Sequence, residues 1–478
     1  MPGQPGSDLD HVRTVHIVGI GGAGMSAIAR VLRGWELEVR GSDRQTSPIT
    51  AALEAEGIPV YVGHAVANVG EVDLVLASSA VPDDNVELAA ARERGLRVMR
   101  RPEFLAPLTS QYDVIAVAGA HGKTTVTGMV ALALLEAGLD PTYIVGGVMA
   151  NLNTNAGAGT GRHFVIEADE YRRTFLALRP AIAVITNVEF DHPDCFPDLK
   201  HVRLAFGEFA DNVVPGGLLI ACADDPIAYA IAVSHHANGG RIVLYGRNPE
   251  AGLTWLAKDL HTNACGGISF TVEHEERLLG EIALQVPGEF NALNALATLC
   301  VGTELGLDWP VVAASLARFS GTARRFEVLG EVDGVTVIDD YAHHPTQIRG
   351  VLEAARSRYP GRRIVAVWEP HTFSRVRALY DAFTSSFTEA DRVVLLPIYA
   401  AREQDDGTLT SEALARAVDH PDVVTASSLE EVVVGLAASS RSGDVILMLG
   451  AGNEYLAGQR LLTKLRASGL QQAERSTV

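Results

Sequence analysis

The stretch "AGAHGKTTV", Ala118 to Val126, follows the apolar run "VIAV" and carries the residue types that a phosphate chain needs. Gly119 and Gly122, with His121 between them, free backbone amides to converge on phosphate oxygens. Lys123 reaches terminal phosphates, and the hydroxyl of Thr124 or Thr125 suits Mg²⁺. A common phosphate loop has another glycine five residues before its last one. Here that position is Val117, so the loop is a shortened version.

Two later apolar runs, "VIEADE" and "VITNVEFDH", end in Glu167, Asp169 and Glu170, and in Glu189, Asp191 and His192. Carboxylates and an imidazole beside a phosphate loop fit Mg²⁺ bridging of phosphates, whereas one such acid alone could simply cap a helix. A second glycine cluster, "GIGGAG", places Gly19, Gly21 and Gly24 in GxGxxG spacing, with Gly22 between them and Asp43 closing the next apolar run. This pattern suits a nicotinamide dinucleotide or another nucleotide diphosphate at a helix N-terminus, and also a turn that only packs a helix on a sheet. With no evident redox residue, and with a separate ATP·Mg²⁺ site, the combination fits a ligase better than a dehydrogenase. In such a ligase ATP phosphorylates a carboxylate, and an amine attacks the acyl phosphate.

The elements that must position these residues follow one cadence: apolar run, glycine-rich or polar turn, helix-like pattern. That is the signature of βα units around parallel sheets. The predicted fold class is α/β in three domains. Residues 1–110 form a Rossmann-like unit, residues 111–323 a phosphate-loop ATPase-like sheet with a small antiparallel ribbon ("ISFTV", "EIALQV"), and residues 324–478 a second Rossmann-like unit. The proline-containing "RRPEFLAPLTSQYD" reads as a boundary loop, and "SGTARRFE" as a hinge. In the third unit the runs "VTVID", "RIVAVW", "RVVLLP" and "DVILML" each end in a polar or glycine-containing loop, where open α/β sheets bind ligands.

A chain of 478 residues exceeds one hydrophobic core, and a net charge of −19 argues against nucleic acid or an anionic membrane as partner. Cys195, Cys222, Cys265 and Cys300 form no CxxC pair and read as reduced packing residues of a cytoplasmic protein. "MPGQPGSDLDHVR" lacks the layout of a signal peptide.

These residues resemble the Mur ligase family across nearly the whole chain, through "GIGGAGMS", "GAHGKTT", "EADE", "TNVEFDH", "PGEFNALNA", "RRFE", "DDYAHHPTQI", "PHTFSR" and "YAARE". Within that family the resemblance implies ATP-dependent joining of L-alanine to UDP-N-acetylmuramate in peptidoglycan precursor synthesis, by a monomer or homodimer. It implies that Gly19, Gly21, Gly22, Gly24, Asp43 and Ser79 bind the UDP-sugar. Gly119, His121, Gly122, Lys123, Thr124, Thr125, Asn291, Asn294 and Arg325 would serve ATP, with Arg324 beside them as another cation. Thr124 and Glu167 would hold Mg²⁺, and His192 would ligate a second metal between the γ-phosphate and the acyl group. Tyr341, His343, His371 and Arg375 would form the amino-acid end, with Lys123, His343 and Arg375 catalytic and His343 a candidate base. A sister ligase joining a pre-formed peptide is the alternative, as is a non-catalytic UDP-sugar-binding paralogue. Arg172, Phe290, Thr372 and Asn453 depart from the family's usual pattern.

Overall fold

The structure is a computed structural model that describes residues 9–249, 252–405 and 407–476. Five strands form the first sheet: β1 (Thr14–Val18), β2 (Glu38–Asp43), β3 (Val60–Val62), β4 (Leu74–Ala77) and β5 (Arg97–Arg100). All pair in parallel in the order β3-β2-β1-β4-β5. Helix Ala23–Gly34 follows β1 and buries Met25, Ala27, Ile28, Val31 and Leu32, one stripe at helical spacing.

The central sheet has ten strands: β6 (Asp113–Ala118), β7 (Thr142–Met149), β8 (Thr154–Gly157), β9 (His163–Glu167), β10 (Ile182–Ile185), β11 (Leu218–Cys222), β12 (Arg241–Gly246), β13 (Trp255–Thr262), β14 (Ile268–His274) and β15 (Arg277–Ala283). Their order is β15-β14-β13-β12-β11-β10-β6-β9-β7-β8. The expected ribbon is β14–β15, and β13 adds a third strand that joins it to the main sheet through a short parallel pairing with β12. β6 is apolar on both faces because both are covered. Ile115 and Val117 enter one core, and Val114, Ala116 and Ala118 enter the other.

The third sheet comprises β16 (Glu327–Val332), β17 (Val335–Asp340), β18 (Arg363–Glu369), β19 (Arg392–Leu395), β20 (Val423–Thr425) and β21 (Asp444–Gly450). The order is β16-β17-β21-β18-β19-β20, with β16 antiparallel and the rest parallel. The four apolar runs read from sequence are β17, β18, β19 and β21.

The segment read as a proline-containing boundary loop is instead helix Arg101–Thr109. Pro102 lies in its first turn, where no amide donor is needed, and the Glu103 carboxylate accepts from the Arg100 amide at 2.7 Å. Pro107 falls only two residues before the end. Burial of Phe104, Leu105 and Leu108, worth roughly 1.5–3 kcal/mol each, outweighs the amide lost there.

One apolar core runs from the first sheet into the central one. Trp35 stacks on Tyr112 at 6.0 Å between ring centres, and Tyr112 meets Phe164 edge-on at 5.3 Å. The third sheet keeps cores of its own and meets the central sheet through polar side chains. Its relation to the rest is therefore the adjustable one. No helix among the described residues is long and apolar enough to cross a membrane.

Candidate active site

β6 lies between β9 and β10, all three parallel, with Val117 opposite Glu167 and Ala118 opposite Ile185. The loop after β6 therefore emerges between the carboxyl ends of the two strands that carry the acids. Val117 stays within β6, which is why the loop is short. Gly119 and Gly122 have φ of +144° and +82°, a region that favours glycine. Thr186 and Asn187, not singled out from the sequence, hold this loop. The Thr186 hydroxyl donates to the His121 carbonyl at 2.6 Å, and the Asn187 side chain accepts from the His121 amide at 2.8 Å. Their signal was the "TN" that ends β10.

Lys123 begins helix Lys123–Glu136 and donates to the Gly119 carbonyl at 2.5 Å and to Glu170 at 2.8 Å. Burial opposes the charge on Lys123, yet Glu170, Asp169 and Glu167 outweigh it and raise its pKa. Glu170, the last acid of "EADE", thus fills the role of a phosphate for this lysine. The Thr124 methyl and Glu167 converge on the adjacent Gly146 and Gly147 of β7, where the Gly146 amide fixes Glu167 at 2.8 Å. A hydroxyl and a carboxylate are the hard oxygen donors Mg²⁺ takes, so these residues fit the ion. His192 stands apart from them, 3.7 Å from Glu170 and 3.9 Å from Asp191, with a strained φ of +55°. Thr125 is buried in the same helix.

Asn294 packs over the phosphate loop, since a β-carbon on Gly122 would meet its Oδ1 at 2.6 Å. Asn291 accepts from Asn294 at 2.9 Å. Arg325 lies 3.5 Å from the Thr124 hydroxyl and stacks on Tyr341. Arg324, the other cation expected near ATP, lies over the same Tyr341 ring. Asp339 at 3.1 Å, Glu454 and the Gly450 carbonyl absorb its guanidinium, so it ties β17 to β21 within the third domain.

The expected amino-acid residues are contiguous. Tyr341 meets His343 edge-on at 5.2 Å, His343 lies 6.2 Å from His371, and the Arg375 guanidinium donates to His371 Nδ1 at 2.9 Å. The central domain supplies their anchor: Asp191 accepts from Arg375 at 2.6 Å and lies 3.5 Å from His343 Nε2. His343 Nδ1 faces the Tyr341 carbonyl at 2.8 Å and must donate to it, which leaves Nε2 as the free lone pair. Burial and Arg375 push the His343 pKa down to about 3; burial and Arg375 also push His371 down to about 4. Burial raises the pKa of Asp191, but Arg375 and His192 overcome this and hold it well below the usual range.

His121, Glu189 and His344 form another cluster between the domains, each offering a ligand atom within 4.8 Å of the others. The Gln347 carbonyl accepts from the His343 and His344 amides, so its NH₂ must face His121 Nδ1 at 2.9 Å. Neutral His121 then carries its proton on Nε2, toward Glu189, and offers no lone pair there. The cluster fits a hydrogen-bonded seam between domains better than a metal site.

In the first domain the Gly21 amide donates to Asp43 at 2.9 Å, so one oxygen of the expected ribose acceptor holds the glycine loop instead. Gly19, with φ +79°, packs on Ser78, and Gly22 caps helix Ala23–Gly34. The Ser79 carbonyl accepts from Arg172 of the central domain at 3.1 Å. Of the other departures, Phe290 is exposed, Thr372 caps helix Phe373–Ala378 at φ +65°, and the Asn453 amide donates to Glu369 at 2.7 Å.

Known proteins match this chain along nearly its whole length. Residues 14–113 match the Mur ligase family catalytic domain, residues 117–302 the Mur ligase middle domain, and residues 324–452 the Mur ligase glutamate ligase domain. UDP-N-acetylmuramate–L-alanine ligase of Renibacterium salmoninarum is 44% identical over 96% of this chain and 97% of its own. That of Kineococcus radiotolerans is 43% identical over 97% and 99%. Among solved structures, UDP-N-acetylmuramate-alanine ligase from Thermotoga maritima matches with a TM-score of 0.81 at 29% identity, over 95% of this chain and 99% of that one. A murein peptide ligase from Psychrobacter arcticus reaches 0.73 at 27% identity, over 95% and 98%. The chain belongs to the Mur ligase family.

Proposed function

We propose that this protein joins L-alanine to the lactyl carboxylate of UDP-N-acetylmuramate, with ATP supplying the phosphoryl group of an acyl-phosphate intermediate. The observation that carries this reading is a polar path across the cleft. Lys123 pairs with Glu170 at 2.8 Å, Glu170 lies 3.7 Å from His192, His192 lies 3.9 Å from Asp191, and Asp191 pairs with Arg375 at 2.6 Å. Phosphoryl transfer to a carboxylate and attack by an amine need these two ends side by side, closed from water.

In this reading residues 1–110 bind the sugar nucleotide, residues 111–323 bind ATP, and residues 324–478 bind alanine. Gly119, His121, Gly122, Thr124, Thr125, Asn291, Asn294 and Arg325 surround the nucleotide, and Lys123 neutralises charge on its γ-phosphate. Thr124 and Glu167 are the residues that would hold magnesium and His192 would ligate a second metal ion, each offsetting phosphate charge when bound. Arg375 turns from Asp191 to the alanine carboxylate, with Tyr341 and His371 beside it. Engaging Arg375 in this way weakens one of the two influences that depress His343. Asp191 is then left to stabilise a proton that His343 Nε2 accepts from the amine. In this reading the reaction takes place in the cytoplasm.

Phosphate release from ATP and Mg²⁺ with UDP-N-acetylmuramate present, adding L-alanine, a tripeptide or neither, tests this. Release that requires L-alanine supports the reading. Release that requires the tripeptide transfers the assignment to the peptide ligase, and no release in any mixture removes the catalytic reading.

A further inference from the structure

The motif "YAARE", Tyr399 to Glu403, supplies none of the residues assigned to substrates above, yet it is built into the alanine end. Tyr399 stacks on His371 at 5.6 Å between ring centres, and its backbone bonds to Pro370 and Thr372 at 2.8 and 2.9 Å. Glu403 accepts from the Ser374 amide at 2.9 Å, next to Arg375 in helix Phe373–Ala378. Arg402 and Arg375 therefore belong to one piece of the third domain.

Both arginines reach the same short loop of the central domain. Arg375 takes Asp191 at 2.6 Å and Arg402 takes Asp194 at 2.8 Å, so the loop is gripped on either side of His192. Arg402 does more than pair. Its Cζ stands 4.5 Å from the centre of the Tyr171 ring, and the Tyr171 hydroxyl donates to the same Asp194 oxygen at 3.0 Å. That ring meets His192 at 5.0 Å, and Tyr171 directly follows Glu170, the partner of Lys123. An exposed ion pair alone holds little, but here the pair and the ring contact fix each other's geometry.

The two grips differ in what the reaction does to them. When the alanine carboxylate takes Arg375, Asp191 loses its cation from the third domain, and the buried pair no longer ties the domains. Arg402 keeps its partners, since Asp194 and Tyr171 have no part in holding alanine.

We infer that Arg402 is a positioning residue that keeps the third domain docked over His192 while alanine occupies Arg375, so that the amine and not water meets the acyl phosphate. The inference rests on the ligase reading, with Arg375 as the partner of the alanine carboxylate.

Phosphate and amide product, measured together for wild type, Arg402→Ala, Arg402→Lys, Asp194→Ala and the double variant Arg402→Ala/Asp194→Ala, test this. Loss of the pair and the ring contact predicts about 3–30-fold lower kcat/KM for L-alanine in Arg402→Ala. Phosphate released per amide formed should rise above one, because water attacking the acyl phosphate returns the carboxylate and frees the phosphate. Arg402→Lys should recover part of the loss, and the double variant should lose less than the two single losses combined. Small-angle scattering with a non-hydrolysable ATP analogue, UDP-N-acetylmuramate and L-alanine should give Arg402→Ala a larger radius of gyration than wild type. A lower kcat/KM with phosphate and amide still equal would make Arg402 part of the alanine pocket and overturn the inference. Unchanged kinetics, additive losses or identical scattering overturn it too. Wild type that forms no amide would instead remove the ligase reading, and the inference with it.

Discussion

Asp191 and Arg375 meet at 2.6 Å across the boundary between the central and third sheets, both almost fully buried. They are the buried charged centre of a seam that also holds the more exposed Arg402–Asp194 ion pair at 2.8 Å and several hydrogen bonds: Thr346 to Glu189 at 2.7 Å, Gln347 to His121 at 2.9 Å and His344 to the Phe190 carbonyl at 3.2 Å. Removing one partner of a buried pair leaves the other charge unsolvated, at about 3–5 kcal/mol when water cannot enter. Here water can enter if the third domain swings away.

Asp191→Ala should therefore open the molecule more than it unfolds it. Small-angle scattering of the unliganded protein should give a larger radius of gyration than wild type, with the thermal transition of the first two domains nearly unchanged. Identical scattering would show that other contacts hold the domain closed.

Lys123→Ala should lower turnover by about 10²–10³-fold, the effect of losing one preorganised charge at a developing anion. Binding of UDP should stay within twofold, because that loop belongs to a different sheet. Phosphate release and calorimetry measure the two separately. Comparable loss of both would show that the two phosphate sites are not independent.

Gly119→Ala should abolish the thermal shift given by ATP. Its φ of +144° is adverse for alanine, and the new β-carbon would run into the Thr186 hydroxyl that holds the loop. The strain adds about 1–3 kcal/mol of destabilisation. A variant with an unchanged ATP-induced shift would mean that the nucleotide is not bound by this loop.

His344 enters the fold neutral, its pKa held down to about 4 by burial and by the neighbouring His121. In the unfolded chain it titrates near 6.5. Between those values the unfolded chain binds the extra proton, so this residue makes the protein less stable as pH falls from about 6.5 to 4. His344→Asn keeps an acceptor for the helix cap that His344 now provides to the Thr346 amide at 3.3 Å. Relative to that variant, wild type should lose up to about 1.4 kcal/mol per pH unit in this window. Urea midpoints at pH 7, 6 and 5 measure the difference, and a constant difference would contradict the burial argument.

Much of the chemistry was legible because it is local. "GAHGKTT" behind an apolar strand specifies a loop with positive φ at Gly119 and Gly122 and a lysine at a helix start, whatever else the chain does. "EADE" and "TNVEFDH" announce acids at strand ends, and four apolar runs announce β17, β18, β19 and β21. Helix Arg101–Thr109 was hidden because its prolines suggest a loop, and only the core that buries Phe104 and Leu108 overrides them. The pairing of residues distant in the chain depended on the tertiary structure. Strand order alone sets β6 between β9 and β10, and so gives Lys123 the carboxylate of Glu170. Domain docking gives Asp191 to Arg375 and Asp194 to Arg402. Sequence determines which groups are present and how each backbone segment turns, because those depend on neighbours along the chain. Which charges lose their water together, and hence which proton or phosphate each one holds, is fixed only when distant segments pack.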